Sequence, residues 1–501
     1  MDRPTLRMAP LIAACIICIK EVVLKLGIVE TISSLPSLFT TASTKNAEDI
    51  STMHDLKTDS EKAVQSESGF NGGTERDLGD VRSPIPGTKP DDAAKLEDAG
   101  PPDGGTTAWI VVLGAWCCSF SSPGWINSVG SFQEYYEVGP LKEYSSSTIA
   151  WIPSLQLFFL FALGPVVGII FDNYGPRPLI IGGTLFHVFG LMMASLARTY
   201  YQFLLSQGVC SAIGVACLYS PALACVSTWF SKKRGTAMGI MVTGSSVGGV
   251  IFPIMISRMI KSTGYPWAMR TAAFLILGLQ IIAILTVRPR MKPVPKKMPI
   301  GRFAAPFTEL PFAMLLLGIF LLTYGIFIPI DYLAVQGLEE AHMSEEMSQY
   351  LVSIFNGASL FGRLASGYGA DRIGRWNMFI IACSLSGIAE FAVWIPAKHS
   401  SIAIGFAIMF GFVSGAFIGL SGALPVSVSP LPEIGYRLGV VFLAISIPAL
   451  TMAPIGGAIL QKSTNGWLDV KVFGGVMCLA GSAIIMISRL LYTEKRLLKV
   501  F

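Results

Sequence analysis

Residues 168–177 (GIIFDNYGPR) and residues 367–375 (GYGADRIGR) are two copies of one short motif, about 200 residues apart. In each copy an aspartate follows a glycine by four residues, and a second glycine and arginine come next. Each copy also lies where one long apolar run ends and the next begins. The residues that carry the motif are Gly168, Asp172, Gly175 and Arg177 in the first copy and Gly367, Asp371, Arg372, Gly374 and Arg375 in the second. Such a repeat predicts a chain built from two homologous halves.

The composition places these halves in a lipid bilayer. Of the 501 residues, 52% are hydrophobic and 14% are charged. The apolar residues form blocks of roughly 18 to 25, which as helices cross a hydrocarbon core of about 30 Å. Because lipid offers no hydrogen-bond partners to the backbone, such blocks must be helical. The net charge of +5 is too small to suggest a nucleic-acid partner. The sequence therefore predicts an all-α membrane protein.

Twelve such runs follow Thr106, and a long linker separates the first six from the last six. The expected fold class is therefore twelve transmembrane helices in two six-helix, pseudo-symmetric bundles. The predicted spans are 107–129, 147–171, 179–197, 202–225, 236–257, 269–287, 311–330, 349–370, 377–396, 401–424, 438–459 and 470–488.

Basic residues in the short loops orient the chain, because such residues stay on the cytosolic side. The loop after the fourth span is basic, whereas residues 331–346, after the seventh span, are acidic and contain no Lys or Arg. Both termini are therefore expected in the cytosol. The predicted segments are a mostly disordered cytosolic tail over 1–102, which includes a weak apolar segment at 8–28, a first bundle over 103–287, a basic cytosolic linker over 288–310, a second bundle over 311–488 and a cytosolic tail over 489–501.

The two motif copies predict contacts between the bundles. Glycines permit a tight reversal and a close approach of helices. Asp172 and Asp371 are expected to face a helix N-terminus or an arginine across the interface between the halves. Such a contact would hold in one conformation and break in another, which makes each copy a candidate latch. The alternative is that these charges only obey the orientation rule for loops.

The two motif copies resemble the signature loop of the major facilitator superfamily. Two more stretches, residues 102–109 and 229–239, resemble motifs of its monocarboxylate-transporter family, and residues 124–128 and 356–363 are similar to the fungal branch of that family. The resemblance covers about residues 102–490. The motif residues that carry it are Asp103, Gly104, Gly105 and Trp109 before and in the first span, and Phe230, Lys232, Lys233, Arg234 and Gly235 before and in the fifth.

Arg363 lies about two-thirds of the way along the eighth predicted span. A cation at such a depth costs about 2.5 kcal/mol or more on insertion scales, so it is expected to face a cavity and a partner. The family resemblance implies that Arg363 lies in the transport pathway and pairs with a substrate carboxylate. The alternative is that its long side chain reaches the inner interface.

Two positions depart from the animal members of that family. Asn127 stands where they have a lysine, and Ser359 stands where they have an aspartate one turn before the arginine. This chain therefore has the cation of the family pattern but not the two other ionisable residues. The pattern does not favour proton symport of the kind that carries lactate. Asn127, Asn356, Ser359 and Tyr324 are candidate hydrogen-bonding residues for a solute, although such groups also join membrane helices to one another.

The expected function is secondary active or facilitative transport of a small organic solute, one with an acidic group, by alternating access. The solute is the expected partner besides the lipid bilayer, with a coupled proton left open, and the protein is expected to act as a monomer. Uptake of a nutrient acid and efflux of a secondary metabolite both fit, in the plasma membrane or alternatively the vacuolar membrane. A non-transporting sensor on a carrier scaffold is the alternative of another class. No enzymatic activity, cofactor or metal site is expected.

Two further ionisable residues lie in spans that the family architecture makes peripheral. Glu390 is expected to reach the outer interface, and His187 is expected to be packed between helices. Neither residue is expected to carry a proton.

Overall fold

The computed structural model describes residues 101–290, 293, 295, 300–494, 496 and 500–501. The predicted tail over 1–102, with its weak apolar segment at 8–28, lies outside the described residues except for its last two positions. Within the described ranges the chain forms helices and no strands.

The described part of the chain contains twelve long helices, and eleven of them are long and apolar enough to cross a membrane. The remaining one, α8, has 29 residues, but charged side chains lie at both of its ends and at Arg363. The helices are α1 (Thr106–Ile126), α2 (Trp151–Tyr174), α3 (Pro176–Ala194), α4 (Tyr200–Trp229), α5 (Arg234–Thr263), α6 (Tyr265–Thr286), α7 (Leu310–Glu339), α8 (Glu345–Ile373), α9 (Arg375–Trp394), α10 (Ser400–Leu420), α11 (Ile434–Lys462) and α12 (Gly466–Tyr492). Each predicted span falls on one of them.

The seventh helix corrects one expectation. Because α7 continues to Glu339, Asp331 and Glu339 lie inside a helix and not in an outer loop. Helical hydrogen bonds join backbone groups, so a helix can extend beyond the apolar run that marks its membrane part. Glu345 and Glu346 form the first turn of α8, where negative side chains favour a helix N-terminus.

The twelve helices form two bundles. Helices α1–α6 pack with one another, and so do α7–α12. The bundles meet along two seams: α2 packs on α11 in the first seam, and α5 packs on α8 in the second. The second helix of each bundle therefore contacts the fifth helix of the other bundle. Both copies of the repeated motif lie at one end of these seams, which we call the hairpin end.

Glycines allow the backbones to meet in both seams. A Cβ atom added to Gly168 would lie 2.1 Å from the carbonyl oxygen of Gly435 in the first seam. A Cβ atom on Gly235 would lie 2.6 Å from the carbonyl oxygen of Gly367 in the second. Any side chain at these positions would push the two bundles apart, because helices approach this closely only through small residues.

His187 contacts the backbone of α1 at a break in that helix. The helix is interrupted at Ser122, next to Pro123, which cannot donate a backbone hydrogen bond. The nearby carbonyl of Ser121 lies 3.0 Å from Nε2 of His187, whose Nδ1 lies 2.8 Å from the hydroxyl of Ser211. Ser211 ends a stretch of π-helix in α4. His187 is fully buried and joins α1, α3 and α4.

Glu390 was expected to reach the outer interface, and this expectation is wrong. Its side chain is fully buried, and its carboxylate points toward Gly474 of α12. Gly474 has no side chain, which leaves room for the carboxylate of Glu390 between α9 and α12, and Glu390 begins a π-helical turn near the end of α9.

Two glycines of α8 give a matched test of this packing. A Cβ atom on Gly362 would lie 1.9 Å from the carbonyl oxygen of Phe412 in α10, whereas one on Gly357 would meet nothing within 4 Å. Both substitutions to alanine gain about 1 kcal/mol of helix propensity. Overpacking costs about 1–3 kcal/mol. Gly362→Ala should therefore lower the midpoint of thermal unfolding in detergent, and Gly357→Ala should leave it equal or higher. Equal midpoints for the two variants would contradict the α8–α10 contact.

Candidate functional site

The two motif aspartates bind helix N-termini in the opposite bundle. Asp172, at the end of α2, accepts hydrogen bonds from the backbone N–H groups of Gly435 (2.9 Å) and Tyr436 (2.8 Å), which begin α11. Asp371, at the end of α8, accepts them from Gly235 (2.7 Å) and Thr236 (2.8 Å), which begin α5. The first N–H groups of a helix have no partner within it and carry partial positive charge. Each carboxylate therefore satisfies one helix start and closes one seam.

The glycines and arginines of the motif take different roles in the two copies. Gly175 and Gly374 turn the chain with φ angles of +78° and +99°, a region that favours glycine. Arg375 donates a hydrogen bond from Nη2 to the carbonyl of Ser231, across the second seam.

The other two motif arginines do not reach across a seam. Arg177 is exposed, and the structure gives it no hydrogen bond or ion pair among the described residues. The guanidinium of Arg372 lies 4.5 Å from the centre of the Tyr368 ring on its own helix. The predicted set of latch residues therefore divides into two aspartates and Arg375 at the seams, two turning glycines, two crossing glycines and two arginines outside the seams.

The segment before α1 supports the start of α5. One carboxylate oxygen of Asp103 accepts hydrogen bonds from three successive backbone N–H groups, those of Ser231 (2.6 Å), Lys232 (2.7 Å) and Lys233 (3.2 Å). The side chains of both lysines are exposed. Gly104 and Gly105 follow with positive φ angles. The motifs in residues 102–109 and 229–239 are thus in direct contact.

Two more contacts fix the loop before α5. The rings of Trp109 and Phe230 lie 5.1 Å apart, and Nε of Arg234 donates to the carbonyl of Phe230 at 2.9 Å. The start of α5 is therefore held on one side by Asp103 and approached from the other bundle by Asp371.

The start of α11 has contacts that sequence reasoning did not find. Arg437 forms a two-pronged ion pair with Glu309 at 2.6 and 2.7 Å and contacts Glu433 at 3.2 Å. The hydroxyl of Tyr436 donates to the carbonyl of Phe303, in a short linker helix over Ile300–Thr308. Arg437 lies in the first turns of α11, and no spacing rule connects it to Glu309, 128 residues away.

Arg363 lies in the second seam, one helical turn before Gly367 on α8. Its side chain is 1% exposed, and its Nη1 donates to the carbonyl of Val242 at 2.5 Å and to the hydroxyl of Ser245. Both acceptors belong to α5, in the other bundle. Its Nε has no hydrogen-bond partner, and no described carboxylate pairs with it. Arg363 is therefore a buried cation whose contacts are neutral.

Two of the predicted polar residues meet near the middle of the same seam. A Cβ atom on Gly249 of α5 would lie 2.8 Å both from Nδ2 of Asn127 and from Oδ1 of Asn356. Each amide nitrogen donates to a carbonyl of its own helix, at 3.0 Å in both cases. Asn356 precedes Arg363 by seven residues, which is about 10 Å along α8. The structure thus brings Asn127, Asn356 and Arg363 to one seam.

The other two predicted residues lie elsewhere. Ser359 is fully buried, and its hydroxyl lies 3.2 Å from the Cβ position of Gly415 on α10. Tyr324 shares a hydrogen bond of 2.7 Å with Thr451 of α11. Both side chains therefore make contacts inside the second bundle and not at the seam.

An aromatic contact between the bundles was also missed. The ring of Phe442, on α11, stacks on Tyr219 of α4 at 5.8 Å and meets Phe161 of α2 edge-on at 5.5 Å. All three side chains are buried. Aromatic residues within apolar runs carry no sequence signal that separates such a contact from ordinary core packing. Within the described ranges, no group of three His, Cys, Asp or Glu side chains could hold a metal ion.

Comparisons with known proteins agree with this architecture. The family model of the Major Facilitator Superfamily matches residues 106–398 and 315–500. Among solved structures, the transporter FucP in its outward conformation has a TM-score of 0.59 at 14% identity, covering 76% of this chain and 99% of that one. The human organic anion transporter MFSD10 has a TM-score of 0.60 at 14% identity, covering 76% and 98%. These two likenesses concern the fold.

The sequence relatives are fungal transporters. The fujikurins efflux protein of Gibberella fujikuroi is 79% identical over 410 residues, which covers 82% of this chain and 88% of the relative. An MFS transporter of Aspergillus flavus is 54% identical and covers 83% and 92%. The aspyridones efflux protein of Emericella nidulans is 38% identical and covers 76% and 78%. The chain therefore belongs to the Major Facilitator Superfamily and is a multi-pass membrane transporter.

Proposed function

We propose that this transporter exports an acidic small-molecule product of secondary metabolism from the cell by alternating access. The observation that carries the proposal is Arg363, a cation buried between the two bundles with no partner among the described carboxylates. Ionisable residues at membrane depth are costly and belong to transport pathways as a rule. A substrate with a carboxylate, or another acidic group, would supply the missing countercharge.

The relatives support export over uptake. Two of them carry the word efflux in their names, and one of these is 79% identical to this chain. Fujikurins, or compounds chemically close to them, are the first substrates to test. Export to the medium favours the plasma membrane over the vacuolar membrane as the site of action. The proposed working unit is a monomer.

The contact between residues 103–109 and the loop before α5 supports membership of a monocarboxylate-transporter-like branch. The resemblance to that branch rests on these same residues, and the contact gives them a joint structural task. Because Asn127 and Ser359 replace ionisable residues of the animal members, we do not extend the proposal to a proton bound beside Arg363. A sensor built on the same scaffold would bind the solute without moving it, and flux into reconstituted vesicles separates the two.

The hydrogen bonds of Asp172 and Asp371 support a latch role. Each bond pair joins one bundle to a helix start of the other, at the same end of the molecule. Opening a path at the hairpin end requires both pairs to break. In this proposal the described conformation is closed at the hairpin end, and transport alternates between breaking and remaking these contacts.

The substrate site is tested by Arg363→Gln in cells that lack the native gene. A hydrogen-bonded ion pair contributes about 1.5–3 kcal/mol, so export should fall about 10- to 100-fold. The measurement is the ratio of metabolite in the medium to metabolite in the cells, with membrane expression checked by immunoblot. Arg258→Gln, on an exposed position of α5, is the matched control and should export normally. Unchanged export by Arg363→Gln at normal expression would remove Arg363 from the site.

The support of α5 by two aspartates is tested by a double-mutant cycle. Losing a side-chain acceptor at or just before a helix start costs about 0.5–2 kcal/mol, so Asp103→Ala and Asp371→Ala should each lower the export rate about 2- to 30-fold. Since both act on the start of α5, their combined effect should be smaller than the product of the single effects.

Asp172→Ala provides the control for that cycle, because Asp172 binds α11 and not α5. Combined with Asp103→Ala, it should give a loss close to the product of the two single losses. Coupling of equal size in both pairs would contradict the assignment of Asp103 to the start of α5.

A further inference from the structure

Arg363 is a contact between the bundles as well as a candidate substrate site. It belongs to α8, whereas its two acceptors, Val242 and Ser245, belong to α5. The hydroxyl of Ser245 also lies 3.1 Å from the carbonyl of Val242, so the three groups form one small cluster. With its guanidinium in this cluster, Arg363 helps to hold the second seam closed.

The cluster leaves the charge of Arg363 without compensation. Its two acceptors are a carbonyl and a hydroxyl, and its buried Nε has no partner. A carboxylate offers two charged oxygens that match the planar fork of a guanidinium, and such bonds are roughly twice as strong as neutral ones. An acid that reached Arg363 would therefore compete successfully for the donors that now face α5.

Arg363 lies close to the point where the two bundles are in backbone contact. Gly367, where the backbones of α5 and α8 cross, lies four residues after it, and Asn356 lies seven residues before it. These spacings correspond to about 6 and 10 Å along the helix. Arg363 therefore lies between the hairpin end and the pair of asparagines.

The described residues of the first seam form no equivalent of this cluster. Gly164 precedes Gly168 by four residues, as Arg363 precedes Gly367, and a Cβ atom on Gly164 would lie 2.6 Å from the carbonyl oxygen of Gly439. One copy of the repeat thus has a glycine contact where the other has a buried cation. The charge-dependent contact belongs to the second seam.

We propose that Arg363 is a substrate-released lock: in the empty carrier it ties α8 to Val242 and Ser245 of α5, and an acidic solute that enters from the cytosolic hairpin end takes its guanidinium and keeps the second seam open. This inference rests on the proposed function of Arg363 as the acid-binding residue and adds how a bound acid shifts the carrier toward the conformation that is open at the hairpin end. The solute class is an organic anion, and an uncharged analogue of the same size does not release the lock.

The lock is tested by a distance measurement in lipid nanodiscs. Spin labels are attached through an encoded keto amino acid at positions 232 and 373, which leaves the native cysteines in place. Lys232 and Ile373 are both exposed at the hairpin end, on either side of the second seam. Pulsed electron resonance then reports the ratio of short to long distances, without ligand, with benzoate, and with uncharged benzyl alcohol.

The expected results separate the lock from the substrate site. Without ligand, Ser245→Ala should lower the ratio of short to long distances about tenfold, since it removes an acceptor of a charged donor. Benzoate should lower the ratio in the parent protein, and benzyl alcohol should not. Arg363→Gln should begin with a low ratio and show no response to benzoate. Ser245→Ala should still bind the acid, because the guanidinium remains.

Two outcomes would overturn the proposal. If Ser245→Ala and Arg363→Gln both keep the parent ratio without ligand, the cluster does not hold the seam. If both variants open the seam but benzoate leaves the parent unchanged, an acid does not release it. Failure of Arg363→Gln to reduce export would instead count against the proposed function, whatever the distances show.

Discussion

The first backbone N–H groups of a helix need acceptors from outside that helix, and this requirement joins the two halves of the molecule. Helices α5 and α11 each begin at the hairpin end, and each receives its acceptor from an aspartate of the other bundle. In each contact one carboxylate contributes a negative charge near the positive end of a helix dipole and accepts two hydrogen bonds. It can form only when the bundles are close, so the same bonds that satisfy the helix starts also define one conformation.

Duplication explains why there are two such contacts and why they differ. Asp172 and Asp371 make equivalent pairs of hydrogen bonds, and glycines bring the backbones together beside each of them. Away from these shared parts the copies have diverged. The first seam is closed by Gly164 and by the aromatic contact of Phe442, whereas the second contains Arg363. The two seams thus share their glycine and aspartate contacts, and the proposed substrate site lies at the buried Arg363 of the second seam.

The sequence predicted the helices well because membrane thickness sets the length of an apolar run. It failed at Asp331, because the end of an apolar run does not mark the end of a helix. It singled out Asp172 and Asp371 by their repetition but could not name Gly435, 263 residues away, as a partner. It also grouped Ser359 with Asn356 as candidate solute contacts, although Ser359 is directed to Gly415 of α10 and Asn356 lies against Gly249 of α5. Which neighbour takes each side chain is decided by packing in three dimensions.

The central claim is that the two aspartates hold the hairpin end closed. The most direct test is a cryo-electron microscopy structure of the Asp172→Ala, Asp371→Ala double variant in lipid nanodiscs. The account predicts that the starts of α5 and α11 separate from the ends of α8 and α2, while each six-helix bundle keeps its internal packing. A double variant in which both seams remain closed at the hairpin end would contradict it.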